Sequence, residues 1–83
     1  KAALINYVLK EATVQLKNGK SISHVKDGAK ARLGHDPEIQ LEYFEVADSE
    51  NLKALTDVKE SARPILCIAA FVGEVRLIDN MFL

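Results

Sequence analysis

The chain has 83 residues, 48% hydrophobic and 28% charged, with 11 basic and 12 acidic side chains and a net charge of −1. That length holds one small domain with one modest core, and the balanced charge supplies no electrostatic drive toward nucleic acid or an anionic membrane. The single cysteine excludes an internal disulfide, and no apolar run approaches the ~18–20 residues that span a bilayer.

Residues 2–17 carry Ile5, Leu9, Ala12 and Leu16 at helical spacing, with Leu4 and Val8 beside them, and predict an amphipathic helix. No capping residue precedes Ala2-Ala3-Leu4-Ile5, so the sequence reads as a piece of something longer. Gly19 is placed to end the helix in a left-handed turn, with Asn18 as the other candidate. Ser21 or Ser23 then caps a second helix reaching about Leu33, with Ile22, Val25, Ala29 and Leu33 as its stripe. Gly28 weakens it, Gly34 ends it and Pro37 blocks its resumption.

Residues 39–46 read as a strand in which Leu41 and Tyr43 alternate with Glu42 and Phe44, so one face is not cleanly polar. Asp48 caps the turn that follows, and residues 52–58 form a loop or short helical turn. Arg63-Pro64 opens a second strand over residues 65–72, which contain no charge. Gly73-Glu74 suits a type II′ turn, pairing Val72 with Val75, Phe71 with Arg76 and Ile68 with Asp79. Both faces of this hairpin are largely apolar. Two antiparallel helices cover one face, and the other needs the remaining loop, another domain or a partner. The expected fold is α+β: two N-terminal helices on a mainly antiparallel three-stranded sheet ending in a β-hairpin.

Few residues suggest chemistry. His24 and His35 lie apart with no Cys or second His near either, short of the converging ligands a metal needs. Cys67, inside the apolar strand, reads as a buried inert thiol. The glycines form no phosphate-cradling loop. Glu42, Glu45, Asp48 and Glu50 read as a solvated strand edge and turn rather than a catalytic pair. Arg32-Leu33-Gly34-His35 is a scrap of the His-x-Gly-His signature of nucleotidylyl-transferring enzymes, but it has Arg first and sits at a helix end, where the dipole opposes phosphate. The polar residues expected to be partly buried are Arg76, Asp79 and Asn80. Arg76 is a candidate to stack on Phe71, and Asp79 needs backbone N–H groups or a basic side chain as donors. With Gly73 at the turn, these are structural candidates; no catalytic, cofactor-binding or metal-binding residue is assigned.

Tyr43-Phe44-Glu45-Val46-Ala47-Asp48, then Leu52, then Pro64-Ile65-Leu66-Cys67-Ile68-Ala69-Ala70-Phe71-Val72-Gly73 and Arg76-Leu77-Ile78-Asp79-Asn80, resemble the carboxy-terminal domain of the pantothenate synthetase (pantoate–β-alanine ligase) family. The resemblance covers nearly the whole chain, and residues 72–80 are its most specific part. It implies that residues 1–83 are a single lid domain of a larger enzyme whose Rossmann-type catalytic domain is absent here. It further implies that the enzyme condenses pantoate with β-alanine through a pantoyl adenylate, using ATP and magnesium. The expected setting is a cytoplasmic homodimer, with the amino-terminal catalytic domain as this domain's partner. Neither the His-x-Gly-His motif nor the Ser-Ser-Arg loop of that family is present, so the isolated chain is expected to be inactive. The competing readings are a stand-alone interaction domain and, with no motif behind it, a small metal or acid–base enzyme.

Overall fold

The computed structural model describes residues 2–83. Two helices, α1 (Ala2–Lys17) and α2 (Ile22–Gly34), precede three strands, β1 (Ile39–Asp48), β2 (Pro64–Val72) and β3 (Val75–Phe82). The sheet is antiparallel throughout, with β2 between β1 and β3.

The stripe of α1 buries Ile5, Val8, Leu9, Ala12 and Leu16. Thr13 is buried with them; its hydroxyl donates to the Leu9 carbonyl at 2.9 Å and approaches the Met81 sulfur at 3.3 Å. That satisfies a polar group which burial would otherwise penalise. Gly19, not Asn18, takes the left-handed position at φ +90. Its N–H donates to the Leu16 carbonyl and that of Lys20 to the Gln15 carbonyl, the paired bonds of a Schellman ending. Of the two candidate serines, Ser21 is the cap of α2, accepting from the His24 N–H at 3.1 Å. Helix α2 runs one residue past Leu33, so Gly34 is its last residue, and it ends on His35 in right-handed geometry.

The imperfect alternation of β1 has a local cause. Leu41 pairs with Ala70 and Tyr43 with Ala69, leaving Glu42 without a partner as a β-bulge. One extra residue resets the side-chain parity. Ile39 and Leu41 before the bulge, and Phe44 and Val46 after it, therefore all reach the helix-covered side, where Phe44 is 1% exposed. The hairpin adopts the expected register from Val72↔Val75 to Ile65↔Phe82. Gly73 alone of its two turn residues has positive φ (+60), as a type II′ turn requires.

Helix α1 packs on β2 and β3, and α2 packs on β1. The core between the layers is Leu9, Leu16, Val25, Leu33, Phe44, Val46, Leu66 and Ile68. The connection from Asp48 to Pro64 packs Leu55 and Val58 against this core through an isolated bridge, Ala47↔Ala54, and a 3-10 turn, Val58–Glu60. Both helices pack on one face of the sheet; on the other, Arg63 of the connection lies over the Phe82 ring and Ile78 is 56% exposed.

Candidate functional site

Arg76 is exposed on β3, contrary to the expectation of partial burial. It does not stack on Phe71, its neighbour in register. Its Nε donates to Glu42 Oε1 at 2.7 Å, across the width of β2. A carboxylate one strand further away wins over the ring because the bulge turns Glu42 toward Arg76, and an ion pair with a hydrogen bond is stronger than an exposed cation–π contact. The Glu42 carboxylate raises the guanidinium's already high pKa. The cation–π contacts lie elsewhere: Arg32 over Tyr7 at 5.2 Å and Arg63 over Phe82 at 5.1 Å.

Asp79 is half-buried on the helix-covered side, opposite Ile68. Its donors are the Asn80 N–H at 2.8 Å and the Asn6 side-chain amide of α1 at 3.3 Å. The backbone donor matches expectation, whereas the side-chain donor is a neutral amide in place of a basic group. Asn6 lies outside the apolar stripe, and only the packing of α1 on β3 brings it to Asp79. Asn80 is exposed on the opposite face, again against expectation: consecutive strand residues point to opposite sides, so the two cannot share one burial.

Cys67 also departs from its expected burial. It is half-buried on the uncovered face of the sheet, and partial burial pushes its thiol pKa up. Glu45 and Asn80 flank it in register, Ile65 and Ala69 adjoin it along the strand, and Tyr43 and Phe71 lie further along the face, with Ile78 and Phe82 on β3 exposed at 56% and 52%. Ala69 is completely buried there beneath its neighbours.

The remaining candidates stay apart. Glu42 pairs with Arg76, Glu45 lies 3.4 Å from Lys26 of α2, and Asp48 is committed to its own turn. Among the described residues no three His, Cys, Asp or Glu side chains gather as a metal site. A groove of about 310 Å³ lies between α1 and α2, floored by Val8, Ala12 and Ala29 and edged by Glu11, Arg32 and His35. Arg32 and His35 sit at the carboxyl end of α2, and its glycine, Gly28, is helical, so the groove offers no backbone cradle for phosphate. No helix among the described residues is long and apolar enough to cross a membrane.

The chain's relatives agree with one another. A family model described as pantoate-beta-alanine ligase matches residues 1–82. Pantothenate synthetase of Cytophaga hutchinsonii is 36% identical over 81 residues, covering 96% of this chain and 29% of that protein. Pantothenate synthetase of Azobacteroides pseudotrichonymphae is 38% identical over 65 residues, covering 78% of this chain and 23% of that protein. The crystal structure of the Thermus thermophilus pantothenate synthetase superposes with a TM-score of 0.70 at 27% identity, over 89% of this chain and 28% of that one. The chain thus spans about a quarter of the length of these relatives. It belongs to the pantoate-beta-alanine ligase family.

Proposed function

We propose that this chain is the carboxy-terminal lid of an ATP-dependent pantothenate synthetase, whose larger catalytic domain carries the reacting groups. The observation behind this reading is a family match over residues 1–82 of a chain that covers only 28% of a solved synthetase. It disfavours an unrelated stand-alone interaction domain. In the proposed reaction the pantoate carboxylate attacks the α-phosphorus of ATP and pyrophosphate leaves. The β-alanine amine then attacks the acyl carbon of the adenylate and AMP leaves, giving pantothenate.

ATP, its magnesium, pantoate and β-alanine are assigned to the catalytic domain. This chain's part is to exclude water while the adenylate waits for the amine. A cytoplasmic homodimer, joined through the catalytic domains, is the proposed setting.

The test fuses this chain to the amino-terminal region of the Cytophaga hutchinsonii synthetase and follows AMP and pantothenate together. The fusion is expected to release the two in equal amounts. The amino-terminal region alone should release AMP in excess, because water captures the adenylate. The 83-residue chain alone should release neither. Synthesis by this chain alone would refute the reading, as would equal release by the amino-terminal region without it.

A further inference from the structure

We infer that the uncovered face of the sheet, not the outer face of the helix pair, is the surface that docks on the catalytic domain. The inference rests on the lid reading and adds the face and its chemistry.

The two candidate faces differ in kind. The sheet face presents Tyr43, Ile65, Cys67, Phe71, Ile78 and Phe82, with Ile78 and Phe82 more than half exposed; Asn80 stands between these two, and Glu45 beside Cys67. Of the charges beside it, Arg76 is matched with Glu42 at 2.7 Å and Glu45 with Lys26 at 3.4 Å, and Arg63 lies over the Phe82 ring at 5.1 Å. Covering such a face removes apolar surface from water while Arg76 and Glu45 keep their partners at its border. On the helix side, Glu11, Gln15, Arg32 and His35 edge the groove, so covering it would desolvate polar groups.

Size selects the occupant. Three strands ~4.8 Å apart and ~8 residues long at ~3.3 Å each present a face of about 14 by 26 Å, or ~380 Å². Counted on both partners this is under the ~1,200 Å² of a stable interface between separate molecules, and within the range of an interface between domains of one chain. A second copy of this domain would be held too weakly. A tethered catalytic domain is held at high effective concentration, and an interface of this size lets it open again. The relatives, of which this chain covers about a quarter, have the length to supply that domain.

Cys67 is the chain's only cysteine and stands on this face, so its alkylation by a maleimide reports coverage of the face. The fusion described above is prepared with its amino-terminal cysteines replaced by serine. Alkylation of Cys67 is expected to be at least tenfold slower in the fusion than in the 83-residue chain, and Ile78→Lys should restore most of the rate. Ile78 is 56% exposed on an edge strand, so lysine there leaves the isolated fold intact, which circular dichroism of the short chain checks. Equal Cys67 rates in fusion and chain would overturn the docking. An active, equimolar fusion with unprotected Cys67 would overturn the docking alone and leave the lid reading standing. A protected Cys67 in a fusion that releases excess AMP would uphold the docking and refute the lid reading. Concentration-dependent dimerisation of the short chain, abolished by Ile78→Lys, would assign the face to a second copy instead.

Discussion

Arg76 on β3 and Glu42 on β1 are joined at 2.7 Å across the whole sheet, and Glu42 is the one residue of β1 that pairs with nothing on β2. The bulge thus serves two ends: it points a carboxylate at Arg76 and it carries Phe44 to the core side. Deletion makes the two separable. Removing Glu42 leaves Leu41↔Ala70 and Tyr43↔Ala69 intact and consecutive, so the deletion variant is expected to fold with a cooperative urea transition. Removing Glu45 inverts the parity between Phe44 and Val46, both 1% exposed, and is expected to leave the chain unfolded. Equal loss of structure in the two variants would show that the bulge is required for the fold itself.

Two glycines make opposite predictions. Gly28 lies within α2 with open space where a Cβ would stand, so Gly28→Ala is expected to stabilise the chain by about 1 kcal/mol. Gly73 has equal room but sits at φ +60, where an L side chain is strained. Gly73→Ala is expected to cost about 1 kcal/mol, the strain being partly offset by a less flexible unfolded chain. In a domain of this size each change corresponds to a shift of about 4–8 °C in Tm, upward for the first and downward for the second. Matching shifts in one direction would contradict the backbone argument.

Leu52 is a left-handed residue without glycine's freedom: its φ is 59 and its side chain is 72% exposed. Its backbone N–H is held by the Asp48 carbonyl at 2.8 Å, which fixes the turn. Leucine gains little by burial there and bears the left-handed penalty, whereas asparagine tolerates that geometry. Leu52→Asn is therefore expected to raise Tm by a few degrees. A fall would show that the leucine side chain contributes packing to the isolated domain.

What is legible in the sequence is periodic or stereochemical. The stripes of α1 and α2, the left-handed Gly19 and the Gly73-Glu74 hairpin with its register follow from spacing and residue type. What escapes it depends on a third element. The Glu42 bulge shows only as a break in alternation, which the sequence presents as ambiguity. The Arg76–Glu42 pair needs the order β1-β2-β3, and the Asn6–Asp79 bond needs α1 to lie over β3. Cys67 reads as buried because its strand is apolar on both sides, and apolar sequence does not say which side the helices take.

Three carboxylates hold the loop from Asp48 to Ser61: Asp57 caps the 3-10 turn, and the lowered pKa values of Asp48 and Glu60 give the loop a pH dependence. Asp48 accepts from the Ser61 hydroxyl at 2.6 Å and from the Glu50 and Asn51 N–H groups. Glu60 accepts from the Thr56 hydroxyl and from the Thr56 and Asp57 N–H groups, at 2.7–2.8 Å. These donors favour the charged forms, the hydroxyl bond first in each case, and hold both groups below their ordinary values of 3.8 and 4.5. A depressed folded pKa contributes stability that is fully present above the ordinary value and lost as pH falls through the folded one. The loop is therefore expected to be intact at neutral pH and to loosen on acidification below about pH 4. Carboxyl-carbon NMR titration should place Asp48 below its ordinary value in the parent chain, and Ser61→Ala should move it back up. Asp48→Asn keeps one acceptor oxygen and removes the charge, so it should flatten the acid limb of the Ser61 and Asn51 amide shifts without opening the loop at pH 7. An Asp48 that titrates at its ordinary value, unchanged by Ser61→Ala, would mean that the Ser61 bond does not hold the turn in solution.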